Sequence, residues 1–336
     1  MQQSHGGNIV TFAKKIGCEV SEVIDLSSNI NFVKPNIELD FNTLNISPYP
    51  NYEKLEKAIA QLYNIETAQL ELFNGATTAI YTLFRELGLK KCVLYAPCYG
   101  EYERSAKLNG YKIHYINRFE NLYEKVPKDA LVIFVNPSTP DGRFYEIERL
   151  MQHWIEKKCT ILVDESFLDF TPYSSVTKYL KKYDRLYILK SMTKFYASAG
   201  IRIGALLSCA KNIQAIKTKE PLWKISEFDS NYLQSALEDR TFKERSKKAN
   251  RENKEYLINL FQQFKYTEQI YPSSANFILI QLKDIDAIEL QKALIKFKIL
   301  IRNCANFYPL NGSYARISVK SRGELDALKE ALLSIK

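Results

Sequence analysis

The sequence lacks the motifs of the commonest nucleotide-binding and metal-binding proteins. The apolar run 160–163 ends in Asp164 and Glu165 as a Walker B element would, but no GxxxxGK(S/T) loop precedes it, and no GxGxxG follows a predicted strand. The six cysteines include no CxxC pair and no metal-like cluster, so we predict reduced packing thiols and no metal site. These absences argue against an ATPase, a dinucleotide-binding fold and a metal centre.

Long apolar runs and clusters of basic charge are also missing. No stretch approaches the ~18 residues of a membrane span, and the short apolar run 9–13 is stopped by Lys14 and Lys15, which does not fit a signal peptide. We therefore expect a cytoplasmic protein without a membrane partner. The net charge is +9, but the basic residues are scattered, so no nucleic-acid partner is predicted. A positive balance also suits an anionic cofactor or substrate.

Apolar segments alternate with helical ones over the first 240 residues. Six runs rich in β-branched and aromatic residues are apolar almost throughout, which is typical of strands buried on both faces of a mainly parallel sheet. These runs are 92–96, 111–116, 131–136, 160–164, 185–189 and 203–208. Helical patterns lie between them at 77–87, 101–109 and 145–158. The pattern predicts an α/β fold.

The character changes after about residue 240. We predict a polar helix over 242–264, a strand over 276–281, a helix over 287–297, a strand over 315–319 and a final helix. Ser321 and Glu324 have the spacing of a capping box at the start of that helix. The sequence therefore predicts a large domain over 31–240 and a smaller α+β domain over 241–336, with residues 1–30 packing on the smaller one.

Three residues in a fixed order give the strongest chemical indication. Asp164 ends an apolar strand, Lys194 follows the next predicted strand, and Arg202 comes eight positions later. Ligands of open α/β sheets bind at the carboxyl ends of strands. An acid for a pyridine nitrogen, an amine for an aldehyde and a guanidinium for a phosphate together predict pyridoxal phosphate. Each residue alone has an ordinary alternative, since Asp164 could simply end a strand and most lysines are solvated.

Two further segments fit the same cofactor. Residues 74–78, Asn-Gly-Ala-Thr-Thr, open a predicted helix, whose N-terminus suits a phosphate but could also be an ordinary capped end. Tyr99 follows a predicted strand and could stack on a flat ring. The pattern as a whole resembles fold-type I pyridoxal-phosphate enzymes of the class I/II aminotransferase superfamily, over nearly the whole chain.

Segments 5–8 (HGGN), 25–31 (DLSSNIN), 191–196 (SMTKFY) and 299–306 (ILIRNCAN) are similar to the threonine-phosphate decarboxylase branch, a sister of histidinol-phosphate aminotransferase. The resemblance implies that Lys194 bonds the cofactor aldehyde and shuttles protons, that Asp164 keeps the pyridine nitrogen protonated, and that Tyr99 stacks on the ring. The residues that it implies for the cofactor phosphate are Ala76, Thr77, Ser191, Arg202 and, from a neighbouring subunit, Tyr49. Those that it implies for the substrate are His5, Asn29, Arg302 and Arg316.

Two positions depart from the superfamily pattern. Thr139 stands where an asparagine usually donates a hydrogen bond to the phenolic oxygen of the cofactor ring, and Phe167 stands where many relatives have a tyrosine. By its position the resemblance implies that Thr139 is a cofactor-binding residue, although its hydroxyl is shorter than an asparagine side chain and can rotate. The two changes predict altered electronics at that oxygen.

The leading interpretation is a carboxy-lyase that acts on phosphothreonine or phosphoserine, giving aminopropanol phosphate or ethanolamine phosphate and CO₂. One methyl group separates these substrates, so the sequence does not choose between them. The alternative enzyme is an aminotransferase that acts on histidinol phosphate or a similar phosphorylated compound. A non-catalytic binding protein of the same fold is a third reading. The resemblance also implies a homodimer.

Overall fold

The computed structural model describes residues 5–335. The strands are β1 (Ile24–Asp25), β2 (Leu70–Asn74), β3 (Lys91–Ala96), β4 (Lys112–Asn117), β5 (Leu131–Val135), β6 (Thr160–Asp164), β7 (Leu186–Ser191), β8 (Ile203–Leu207), β9 (Thr267–Ile270), β10 (Phe277–Leu282), β11 (Ile299–Leu300), β12 (Arg302–Asn303) and β13 (Tyr314–Ser318). The helices are α1 (Ile9–Ile16), α2 (Glu53–Leu62), α3 (Ala76–Leu87), α4 (Gly100–Leu108), α5 (Glu148–Glu156), α6 (Met192–Phe195), α7 (Ala210–Lys217), α8 (Glu227–Glu238), α9 (Phe242–Gln263), α10 (Ala287–Leu294) and α11 (Arg322–Leu333). Within this part of the chain, no helix has the length and hydropathy to cross a bilayer.

A seven-stranded sheet forms the centre of the molecule, in the order β2-β8-β7-β6-β5-β3-β4. Strands β4, β3, β5, β6 and β7 pair in parallel, and β8 is antiparallel to both β7 and β2. Every residue of β5 is buried because Val132 and Phe134 pack on one face of the sheet while Leu131, Ile133 and Val135 pack on the other. Helices α2, α5 and α8 cover the first face, and α3, α4 and α7 cover the second. The predicted α/β class with a mainly parallel sheet is confirmed.

Helix α5 begins later than the sequence predicts. The helix predicted over 145–158 begins only at Glu148. Asn136 accepts a hydrogen bond from the Tyr145 backbone N–H through Oδ1 at 2.9 Å and donates through Nδ2 to the Tyr145 carbonyl at 3.0 Å. Both backbone groups of Tyr145 are therefore used by a side chain, so this residue cannot join the helix.

A second, smaller sheet has the order β12-β13-β10-β9 and is antiparallel throughout. Its core is built with α9, α10 and α11, and it also includes Leu26 from the N-terminal region. Strand β1 pairs in parallel with β11, which attaches that region to the same core. The capping box of Ser321 and Glu324 is present at the start of α11. The division of the chain at residues 30 and 240 stays a prediction.

One helix belongs to both hydrophobic cores. Phe242, at the start of α9, packs in the core of the large sheet, whereas Leu257 and Phe261 pack in the core of the small sheet. Between these positions the α9 residue Asn250 donates to Asn31 Oδ1 at 2.9 Å, and Asn31 donates through its amide to the carbonyl of Phe195 at 2.8 Å. The two cores are therefore joined by a continuous helix and by a buried polar contact next to α6.

Candidate active site

The carboxyl ends of the central strands surround one cavity. Strand β6 ends at Asp164, α6 follows β7 and carries Lys194, and α3 follows β2. Ten of the thirteen residues predicted for the site line this cavity, while Ser191 and Arg202 lie just behind it and Tyr49 lies elsewhere. The ten are His5, Asn29, Ala76, Thr77, Tyr99, Thr139, Asp164, Lys194, Arg302 and Arg316.

The Asp164 carboxylate is held by three hydrogen bonds. The hydroxyl of Tyr102 donates to Oδ2 at 2.6 Å, and the backbone N–H and hydroxyl of Ser166 donate to Oδ1 at 2.9 and 2.5 Å. Burial, together with the nearby Asp164 carboxylate, raises the pKa of Tyr102 well above its ordinary value, so this phenol stays protonated and remains a donor. Sequence reasoning missed both partners, although Tyr102 is one helical turn from Tyr99 and Ser166 is two residues from Asp164.

The Lys194 amine lies in a largely desolvated position. Burial lowers its pKa to about 8; the positive charges of Arg202 and Arg316 add to this effect, and Asp164 opposes it. The amine donates to Ser191 Oγ at 2.9 Å. A lysine of this kind has a substantial neutral fraction near physiological pH and can act as a nucleophile.

The start of α3 forms an open cradle. Gly75 has a φ of +81° and supplies no side-chain cap to the helix. A Cβ on Gly75 would lie 2.5 Å from the Arg202 guanidinium, and a Cβ on Gly204 would lie 2.3 Å from the Ala76 nitrogen. The two glycines thus allow an arginine and strand β8 to approach a helix N-terminus closely, and that combination fits a phosphate group.

Two buried arginines lie opposite each other on neighbouring strands. Arg302 on β12 pairs in register with Arg316 on β13. Arg316 donates to Thr139 Oγ1 at 3.0 Å and to the Ser27 carbonyl at 2.8 Å, while its buried Nε has no hydrogen-bond partner among residues 5–335. Burial lowers the pKa of Arg302, and that of Arg316 to about 10. Facing like charges destabilise a strand pair, so this arrangement is suited to anions.

Thr139 has a different neighbour from the one that sequence reasoning considered. Its buried hydroxyl accepts from the Arg316 guanidinium, which leaves the hydroxyl proton as the group that can be donated elsewhere. Phe167, the second departure, is also buried at the cavity wall, with its ring edge-on to Phe277 at 5.0 Å between centroids. The predicted role of Thr139 at the ring oxygen stays a prediction.

The N-terminal segment crosses the rim of the cavity. His5 Nε2 lies 2.9 Å from Glu101 Oε1, and its ring lies 5.5 Å from that of Tyr99, between centroids. The Tyr99 hydroxyl is 3.4 Å from Thr77 Oγ1, so the aromatic side chain spans from this segment to α3. Sequence reasoning did not identify Glu101, because a glutamate in the first turn of a helix is an ordinary surface residue.

The remaining predicted residues differ in position. Asn29 is buried at the cavity and accepts from Ser318 Oγ at 2.8 Å, so its amide nitrogen is the group left for a ligand. Tyr49 is 73% exposed and stacks on Trp223 with 4.1 Å between ring centroids. It does not line the cavity of its own chain, and its predicted contact with a neighbouring subunit stays a prediction.

Comparison with known proteins gives consistent matches over most of the chain. The profile of the aminotransferase class I and II family matches residues 15–335. An adenosylcobalamin biosynthesis bifunctional protein of Leptospira interrogans is 29% identical over 98% of this chain, which spans 41% of that protein. Threonine-phosphate decarboxylase of Salmonella typhimurium is 26% identical over 99% of this chain and 96% of its own length. The solved structure of histidinol-phosphate aminotransferase from Clostridium acetobutylicum is 29% identical with a TM-score of 0.81, covering 91% of this chain and 97% of that one.

Proposed function

Because the chain belongs to the aminotransferase class I and II family, whose cofactor is pyridoxal phosphate, we propose that it is a decarboxylase of an O-phosphorylated amino acid. Phosphothreonine would give aminopropanol phosphate, and phosphoserine would give ethanolamine phosphate, each with release of CO₂. The relatives named for threonine-phosphate decarboxylase and histidinol-phosphate aminotransferase support a phosphorylated substrate.

The described residues fit each part of the cofactor. Asp164 would hold a proton at the ring nitrogen, Tyr99 would stack on the ring, and the cradle of Ala76, Thr77 and Arg202 would bind the phosphate. Lys194 would hold the aldehyde end when no substrate is present and would deliver the proton that replaces the lost carboxylate at the substrate's α-carbon. The bound cofactor supplies an electron sink for the bond that is broken.

The single observation that carries the proposal is the pair of buried arginines. An O-phosphorylated amino acid has two anionic groups, a carboxylate and a phosphate, whereas histidinol phosphate has only the phosphate. Arg302 and Arg316 lie in register on adjacent strands, and His5 lies at the rim of the same cavity. Three basic side chains that line one cavity match two anions, and charge-assisted hydrogen bonds to such anions are the strong kind.

These groups also select the reaction. Loss of CO₂ and loss of a proton would differ in how the substrate is oriented against the bound cofactor, so the residues that orient the substrate would select the reaction. Arg302 and His5 fix the remote phosphate, and Arg316 fixes the carboxylate. Binding energy at the remote group then orients the reacting end.

Product analysis tests the proposal directly. The purified protein is incubated with cofactor and phosphoserine, phosphothreonine or histidinol phosphate, with and without 2-oxoglutarate, and the products are identified by mass spectrometry. We expect an amine phosphate lighter than its parent by one CO₂, formed without an oxo acid. The Lys194→Ala variant serves as the inactive control. A new oxo compound that requires 2-oxoglutarate would overturn the proposal.

That second outcome corresponds to the other candidate function, an aminotransferase that acts on histidinol phosphate. The observation in its favour is the 29% identity to the solved aminotransferase of Clostridium acetobutylicum, together with the TM-score of 0.81. The decarboxylase is preferred because a single O-phosphorylated amino acid carries both anions at once, whereas the aminotransferase would bring a carboxylate to the second guanidinium only with glutamate or 2-oxoglutarate, in a separate half-reaction.

We also propose that two copies of the chain form a homodimer. Tyr49 and Trp223 are exposed and stack on each other, and their near neighbours in the sequence, Ile46 and Leu222, are exposed apolar side chains as well; the four residues are here called the aromatic surface. Exposed apolar patches commonly mark an interface. In the proposed dimer, Tyr49 reaches the cofactor phosphate of the neighbouring subunit.

A further inference from the structure

We infer that Glu101 is a positioning residue for recognition of the substrate's phosphate, an inference that rests on the proposed function. Glu101 acts through His5, which it holds at the rim of the cavity. The Glu101 carboxylate has no other role in the proposed chemistry.

Both oxygens of the Glu101 carboxylate are engaged. Oε1 accepts from His5 Nε2 at 2.9 Å, and Oε2 accepts from the Tyr81 hydroxyl at 2.6 Å. The side chain begins in the first turn of α4 and the residue is only 8% exposed, with Arg104 at 4.0 Å as its further charged neighbour. Burial works to raise the pKa of Glu101, but the hydrogen bonds from Tyr81 and His5 outweigh it, so the pKa is lowered and the group is an anion at neutral pH.

Gly6 and Gly7, which follow His5, are fixed on the opposite side of the cavity from Glu101. A Cβ on Gly6 would lie 2.3 Å from the Ser27 carbonyl oxygen, and the Gly7 N–H donates to Ser27 Oγ at 2.8 Å. The same Ser27 carbonyl accepts from Arg316. Residues 5–7 therefore span from the arginine pair to α4, and Glu101 is their attachment on the α4 side.

His5 differs from the two arginines in how it is held. Arg302 and Arg316 lie on paired strands, so their backbone positions are fixed by the sheet. Within the described residues, the His5 side chain contacts Glu101 and the Tyr99 ring. Since Nε2 donates to Glu101, Nδ1 is the ring nitrogen that remains for a ligand, and it can donate to a phosphate oxygen when the imidazole carries a proton on both nitrogens. Loss of the Glu101 charge should therefore release His5 and weaken the hold on a phosphate, with little effect on the bond-breaking groups.

The kinetic test compares holoenzyme carrying Glu101→Gln with wild type on whichever phosphorylated amino acid is turned over. We expect KM to rise about 10- to 100-fold, the loss of one charge-assisted contact, while kcat stays within about threefold. His5→Ala should raise KM similarly, and the double variant should be no worse than His5→Ala alone. The matched control is Glu103→Gln, which lies on the same helix, is about one third exposed and pairs with Lys107; this variant should behave as wild type.

Hydrogen exchange of the holoenzyme provides a readout that needs no turnover. The amides of residues 6–8 should exchange faster in Glu101→Gln than in wild type or Glu103→Gln. If no phosphorylated amino acid is decarboxylated, the proposed function fails, and exchange alone decides whether Glu101 holds the segment. Unchanged exchange, or a wild-type KM in Glu101→Gln, would overturn the inference. A fall in kcat and in melting temperature without a rise in KM would also overturn it, because that pattern indicates a purely structural role.

Discussion

The Lys194 amine is matched to chemistry near neutral pH. Burial lowers its pKa from 10.5 to about 8, so the neutral, nucleophilic form predominates above about pH 8. We expect the rate at which apoprotein gains the yellow absorbance of the lysine-bound cofactor to rise roughly tenfold per pH unit below 8 and then to level off. Stopped-flow absorbance measures this rate. Lys194→Ala should show no such absorbance, and a rate that still rises between pH 9 and 10 would contradict the assignment.

The close approach of strand β8 to the start of α3, which forms the proposed phosphate cradle, leaves no room for a methyl group at Gly204. In Gly204→Ala the new Cβ would meet the Ala76 nitrogen at 2.3 Å and push β8 away from the start of α3. We expect the free energy of unfolding to fall by about 1–3 kcal/mol and the affinity for pyridoxal phosphate to fall with it. Thermal denaturation with and without cofactor measures both. Gly200→Ala is the control, because a Cβ there meets nothing within 4 Å.

The residues proposed to contact the cofactor were easier to predict than the residues that position other site residues through hydrogen bonds. Asp164 and Lys194 could be proposed from the sequence because their types and order fit a cofactor, and both line the same cavity in the structure, while their roles stay predictions. Tyr102 and Glu101 could not, because a tyrosine or glutamate on an amphipathic helix reads as packing or surface until its neighbour is known. Only the fold brings α4 beside the end of β6 and beside the N-terminal segment.

Strands β6 and β7 are joined by a buried ion pair next to Asp164. Lys190 lies 2.6 Å from Glu165, and both side chains are 2% exposed. We expect Lys190→Met to lower the free energy of unfolding by about 3–5 kcal/mol, because it leaves a buried charge unpaired. Urea denaturation measures the change. The double variant Lys190→Met/Glu165→Leu should be more stable than the single one.

The control for that change is a surface pair of the same two residue types. Lys178 lies 2.9 Å from Glu148, with more than half of each side chain exposed. Lys178→Met should cost less than about 1 kcal/mol because solvent screens exposed charges. Equal losses for the two lysine variants would show that burial does not determine the contribution of Lys190.

The central strands could be predicted because they are apolar almost throughout, as expected of strands that are buried on both faces of a sheet. Strand β6 matches the predicted 160–164, and β3, β4, β5, β7 and β8 differ by one or two residues at their ends. Strand β2 was not predicted, because its sequence LELFN places a buried glutamate, Glu71, inside the strand. Lys224 Nζ lies 2.5 Å from Glu71 Oε1. Because these two residues are 153 positions apart, the sequence around Glu71 gives no sign that the glutamate is paired.

At the scale of the whole molecule, the proposed dimer places the aromatic surface in the interface. Trp223→Ala removes the ring that supports Tyr49. We expect the dissociation constant of the dimer to rise roughly tenfold or more, since large aromatic side chains dominate interface energies. Analytical ultracentrifugation measures the shift. Leu333→Ala, at a 77% exposed position on α11, should leave it unchanged. A protein that is monomeric at every concentration would contradict the dimer.

Helix α9 has a thermodynamic consequence beyond its place in the fold. Its first turn is part of one core, its last turns are part of the other, and its middle reaches the carbonyl beside Lys194 through Asn31 and Asn250. If either core unfolded, α9 would lose part of its packing, and this loss would destabilise the other core. The chain should therefore unfold cooperatively, in one calorimetric transition. The Lys194 amine should become exposed to solvent in that same transition.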